Sequence, residues 1–155
     1  MPWVHPTLSR ALELDRYDVE TFEHAALQIG EAAPRDPYFE LPSDHPDQGR
    51  RIAGYYLFIH PFIALNYYPW GISLNALEPL PDERTRIHYR AYVGREELRD
   101  VGAGAGLDAV EHEDDAIVER CARGLASRLY RPGQLHPKHE KAVSWFRKKR
   151  DCHRG

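Results

Sequence analysis

Between Ile52 and Leu77 the chain has no charged side chain, and its apolar residues fall into short runs. Ala53–Ile59, Phe62–Tyr68 and Gly71–Leu77 are rich in Ile, Leu, Tyr and Phe, which predicts three strands in close succession. Pro61, Pro69, Asn66, Asn75 and His60 interrupt the stretch, so it does not read as a membrane span despite its length. A turn is predicted over the EPLPDER run. Arg84–Val93 then alternates strictly. Thr85, Ile87, Tyr89, Ala91 and Val93 share one face, and Arg84, Arg86, His88, Arg90 and Tyr92 share the other, predicting a strand with one wet side. Tyr17–Ile29 alternates enough for a further strand, with Glu23–Gln28 open to a helical reading. Residues 33–50 hold four prolines and many turn formers, the pattern of a long loop.

The last third changes period. Leu107–Tyr130 predicts a long helix stopped by Arg131-Pro132-Gly133. A second helix is predicted from about Pro137 to Lys149, its basic end favoured by the helix dipole. Near the start, Thr7–Leu14 suits a short helical turn. Strands joined by short turns imply an antiparallel meander, and a strand half followed by a helical half is α+β.

Composition narrows the chemistry. The chain has 155 residues, enough for one domain with its own core. Its 21 basic against 24 acidic residues argue against a general nucleic-acid binder. Two cysteines among nine histidines exclude a disulfide framework or a four-thiolate site, so a bound metal would favour His and carboxylate ligands. MPWVHPTLSR has neither the basic nor the apolar region of a secretory signal, so a cytoplasmic protein is expected.

Candidate ligands are few. On the long helix, Leu107, Val110, Ile117, Val118, Cys121, Leu125 and Leu129 form an apolar stripe with Asp114 at its centre, while Asp115, Glu113 and His112 are predicted to point away. A carboxylate there is costly unless paired, hydrogen-bonded or metal-bound, and pairing with an arginine or capping a backbone amide is the simpler reading of the pattern. His5, between Val4 and Pro6, reads more simply from the pattern as an ordinary partly buried residue than as a ligand. His136 and His139 have ligand spacing, but His136 precedes Pro137. Cys121 reads as an inert core thiol. No GxSxG, P-loop or GxGxxG motif occurs.

The segments VHPTLSRALELDRYDVE, NYYPWGISLNALEPLPDERTRIHYRAYV, AVEHEDDAIVERCARGLASRLYRPG and HEKAVSWF, in this order, resemble the catalytic domain of Rieske non-haem iron oxygenase α subunits, the aromatic ring-hydroxylating dioxygenases. The resemblance covers about residues 2–148. It implies a helix-grip (START/Bet v 1-like) domain over residues 1–150, an antiparallel sheet around a long helix followed by a shorter one. It also implies a mononuclear Fe(II) held by two histidines and one carboxylate. His5 matches the second histidine of the family's H-x4-H pair, and Asp114 matches the carboxylate. Phe58, Phe62, Asn66, Tyr68 and Trp70 are candidates for the cavity wall, though as strand aromatics they fit a plain core equally well.

Further expectations follow from the same resemblance. The first histidine would fall immediately before Met1, and the CxH…CxxH ligands of a [2Fe–2S] centre are absent from the sequence. That reads as an N-terminally truncated domain, binding Fe(II) weakly and inactive or nearly so by itself. The complete system would use O2 and electrons from a ferredoxin or reductase to hydroxylate an aromatic or oxidise an N-methylated small molecule, in a possible homotrimer. The rival readings are a non-catalytic helix-grip binding remnant and an unstable gene fragment.

Overall fold

The computed structural model describes residues 12, 14–82, 84–138 and 140–152. His5, His139 and most of the predicted Thr7–Leu14 turn lie outside the described residues. Six strands form one antiparallel sheet in chain order: β1 Asp18–Thr21, β2 Ala25–Glu31, β3 Ile52–Ile59, β4 Ile63–Tyr68, β5 Gly71–Leu80 and β6 Arg84–Val93. Helices α1, Leu107–Leu125, and α2, Lys141–Cys152, follow. The α+β class and the meander stand as read from the sequence.

The core is densest at one end of the sheet. Ile52 and Ala53 are fully buried, and Leu12, which bridges to Ala32, packs with Ala53 beneath Tyr17 and Ala103. Trp70 and Tyr68 stack with ring centroids 5.2 Å apart and are both buried. A Cβ on Gly104 would strike both rings, so glycine is what lets the segment before α1 lie on this aromatic pair.

Loop 33–50 is pinned by charge. Arg50 donates to Glu31 at 2.8 Å, to Asp47 at 2.7 Å and to Asp18 at 2.8 Å, joining the loop to β1 and β2. Tyr55 donates to the other Asp47 oxygen at 2.9 Å. Partial burial works against the Arg50 charge, but the hydrogen bonds to Glu31 and Asp47 outweigh it and raise its pKa.

Four sequence expectations are corrected. Tyr17–Ile29 is two strands, because Phe22–His24 forms a tight turn closed by the Phe22 amide on the Ala25 carbonyl. Strand β5 runs on through Pro79 to Leu80 where a turn was expected. Its pairing with β4 ends at Ala76, so Pro79 lacks a donor on a side that has no neighbouring strand among the described residues. Helix α1 stops at Leu125, five residues early, where Ser127 accepts from the Leu129 amide and forms a competing turn. Finally, α2 starts at Lys141, after a turn in which Glu140 accepts from the His136 amide.

Candidate functional site

Strand register divides the sheet into two faces. Gln28, Tyr56, Asn66 and Ser73 share one rung of the inner face, and Ala26, Phe58, Ala64 and Asn75 share the next. Both helices lie on this face. Helix α2 is held over its β1 end: Lys141 donates to the Val19 carbonyl at 3.2 Å and Trp145 to the Phe22 carbonyl at 2.8 Å. Phe146 meets Phe58 edge to face at 5.7 Å.

Between α2 and the sheet lies a cavity of about 480 Å³. Ala26, Phe58, Ala64, Leu77, Trp145 and Phe146 give it apolar walls, and Gln28, Tyr56 and Asn66 supply its polar groups. Among the described residues, none that lines it is charged.

Helix α1 meets the same face at the β5–β6 end, through carboxylates. Tyr89 donates to Asp115 at 2.9 Å, and the buried Ser73 hydroxyl lies 3.5 Å from Glu111. Burial raises the Glu111 pKa from its ordinary 4.5 to about 7, with repulsion from Asp108 and Asp115 opposed by the Ser73 hydrogen bond. Burial raises the Tyr68 phenol above its ordinary 10, and the charges of Glu111 and Asp114 add to that. Tyr89 is raised in the same way, by burial and then by Asp115.

The expected orientation of α1 is therefore corrected. Asp115 faces the sheet instead of pointing away, Glu111 joins it, and Asp114 is exposed while its charge still reaches Tyr68 and Tyr89. The apolar stripe is not a core seam: Val118 is 64% exposed, Leu125 57%, and Cys121 is exposed, not an inert core thiol. Hydrogen bonds from sheet hydroxyls, not apolar burial, set the rotation of the helix. Apolar periodicity is blind to that signal; the wet strand carrying Tyr89 opposite an acidic helix was the available clue.

Of the proposed cavity residues, Phe58 and Asn66 line the cavity. Tyr68 lies on the inner face and meets the lining residue Tyr56 at 5.9 Å. Trp70 lines a separate pocket with Gly104, Leu107 and Asp108, and Phe62 is 44% exposed and does not line the cavity. Gln28, Tyr56, Trp145 and Phe146 were missed as cavity residues. Among the described residues no group of three His, Cys, Asp or Glu side chains is placed to hold a metal ion. Asp114 is the one member of the expected iron triad within them, so the described residues alone do not make up an iron site. No helix among the described residues is long and apolar enough to cross a membrane.

The family model described as ring hydroxylating alpha subunit (catalytic domain) matches residues 1–151. No curated protein matches the chain. Among solved structures, the chain is similar to the quaternary ammonium Rieske monooxygenase CntA in complex with an inhibitor. The identity is 25% and the TM-score 0.60, over 83% of this chain and 33% of that one. A second similar structure is a quaternary ammonium Rieske monooxygenase described for carnitine oxidation by gut microbiota and inter-subunit electron transfer. There the identity is 24% and the TM-score 0.61, over 83% of this chain and 34% of that one, a likeness of fold. The chain spans about a third of the length of these solved structures.

Proposed function

The chain belongs to the ring hydroxylating alpha subunit (catalytic domain) family, and on that premise we propose that it is the iron- and substrate-binding portion of a Rieske-type mononuclear iron oxygenase. In the complete system, O2 and electrons delivered from a ferredoxin or reductase through a [2Fe–2S] centre oxidise an aromatic or N-methylated small molecule. Electron transfer between subunits, named for one of the similar structures, is proposed for this protein's assembly too, as a homotrimer. His5 and Asp114 are the proposed iron ligands. Iron bound there would supply dioxygen activation.

The residues of this chain have separate tasks in that scheme. The apolar walls from β2–β5 and α2 bind the organic substrate and exclude water, and the amides of Gln28 and Asn66 orient it. Tyr56 and Tyr68 form the partition between this cavity and the carboxylates of α1. The observation that supports the reading most strongly is the placing of the cavity and the carboxylate helix on one face of the sheet, joined through the Tyr56–Tyr68 contact.

Anaerobic Fe(II) titration followed by nitric oxide trapping and EPR tests the reading. The expected result is a weak, exchangeable high-spin iron–nitrosyl signal that is lost in His5→Ala and in Asp114→Ala. Unchanged iron binding in Asp114→Ala would remove the ligand assignment and favour a non-catalytic binding module.

A further inference from the structure

The inner-face cavity has a chemical pattern narrower than its fold requires. Gln28 pairs with Tyr56 in the β2–β3 register, and Tyr56 pairs with Asn66 in the β3–β4 register. The two amides therefore stand two strands apart, roughly 10 Å from backbone to backbone, on either side of Tyr56. Both side chains line the cavity and are half-buried. The Gln28 oxygen accepts from the Tyr17 hydroxyl at 3.3 Å, which orients the amide and leaves its N–H groups free to donate. The Asn66 amide has no hydrogen bond among the described residues, so it offers a donor and an acceptor beside apolar walls.

Charge is what the cavity lacks. Among the described residues no carboxylate, lysine or arginine lines it, so neither a permanent cation nor a carboxylate ligand finds a counter-charge among them. Phe58 and Phe146 meet edge to face, so one of these two ring faces is covered by the other ring's edge and is closed to a cation. Around them, Lys141 is turned to the Val19 carbonyl, and His60 meets the Trp145 ring at 6.2 Å without lining the cavity.

We propose that Gln28 and Asn66 are the specificity-determining residues of this cavity, and that they recognise a neutral hydrogen-bonding substituent, such as an amide or a phenol, on an apolar ring. The cavity discriminates against quaternary ammonium compounds and carboxylates of the same size. This inference rests on the reading of the cavity as the substrate site. It separates the chain from the quaternary ammonium enzymes to which its fold is similar.

Calorimetry and amide NMR on the whole chain test it with acetanilide, phenyltrimethylammonium, benzoate and tert-butylbenzene. Acetanilide is expected to bind at least tenfold more tightly than phenyltrimethylammonium or benzoate, shifting resonances of Ala26, Phe58 and Trp145. Gln28→Leu and Asn66→Leu should each weaken acetanilide roughly tenfold and leave tert-butylbenzene unchanged, which also shows that the variants fold. Asn66→Asp should admit the cation and reverse the preference. Equal or tighter binding of phenyltrimethylammonium to the unmodified chain overturns the inference and leaves the cavity reading standing. If none of the probes shifts inner-face resonances, the cavity reading falls and takes the inference with it.

Discussion

Glu111 is half-buried, beside Ser73 and two aspartates, and holds its proton well above the ordinary carboxylate range, to about 7. Its folded pKa exceeds its unfolded value of 4.5, so between those limits the folded state binds more protons. Stability from this group is fully present below the unfolded value and is lost as pH rises towards 7. In the metal-free protein, Glu111→Gln should therefore flatten the fall in Tm between pH 5 and pH 8; an unchanged slope would refute the assignment. Tyr89 makes the other polar contact to α1, at 2.9 Å from Asp115. Tyr89→Phe should cost about 1 kcal/mol in urea unfolding and speed amide exchange in α1 without altering β1–β4. Neither residue stood out in the sequence, because periodicity weighs apolar positions, and this contact is made by carboxylates meeting hydroxyls. Asp114 stood out for the opposite reason: it interrupts an apolar stripe that the fold leaves uncovered along Val118, Cys121 and Leu125.

At the scale of elements, the strands were more legible than the helix ends. Strand β6 begins and ends where its strict alternation does, and Ile87 and Tyr89 are its half-buried residues. The breaks at His60–Pro61 and Pro69–Trp70 fall where the sequence puts them, whereas the EPLPDER turn opens three residues late, after Leu80, and the Phe22–His24 turn, which carries neither Pro nor Gly, was missed. The end of α1 was misread because Pro132 is the nearest obvious stop, while Ser127 ends the helix with a local hydrogen bond. Loop 33–50 was legible as a loop, but its clamp was not, since Arg50 meets Asp18, Glu31 and Asp47 only after folding. Arg50→Met should destabilise the protein by about 2–3 kcal/mol in urea unfolding, because among the described residues the buried Glu31 then keeps the Arg16 contact alone, at 3.3 Å. Arg50→Lys should recover part of that loss, as an ammonium cannot span three carboxylates in one plane. Gly71 turns the chain into β5 at φ 154°, where a Cβ would run into the Tyr92 carbonyl. Gly71→Ala should lower stability by more than about 1 kcal/mol, measured by thermal unfolding.

For the whole molecule, the α+β class, the meander and the family were all legible in the sequence, and the match over residues 1–151 bears out the family. The arrangement on the inner face was not. The sequence pointed to strand aromatics as a group, and only register distinguishes Phe58, which lines the cavity, from Phe62, which does not. Trp145 and Phe146 enter from a helix far along the chain, where a basic run obscured their role. The sheet thus holds two helices over one face, α2 closing a cavity whose described lining carries no charge and α1 presenting carboxylates beyond Tyr56 and Tyr68.

Metal and organic ligand are proposed to share this face, with Asp114 holding the metal. Paramagnetic broadening of amide resonances during a Mn(II) titration is the decisive measurement. Broadening is expected first on Tyr68, Tyr89, Glu111 and the cavity residue Tyr56, and is expected to disappear in Asp114→Ala. Broadening centred on His45 and Asp47, or unchanged in Asp114→Ala, would contradict it.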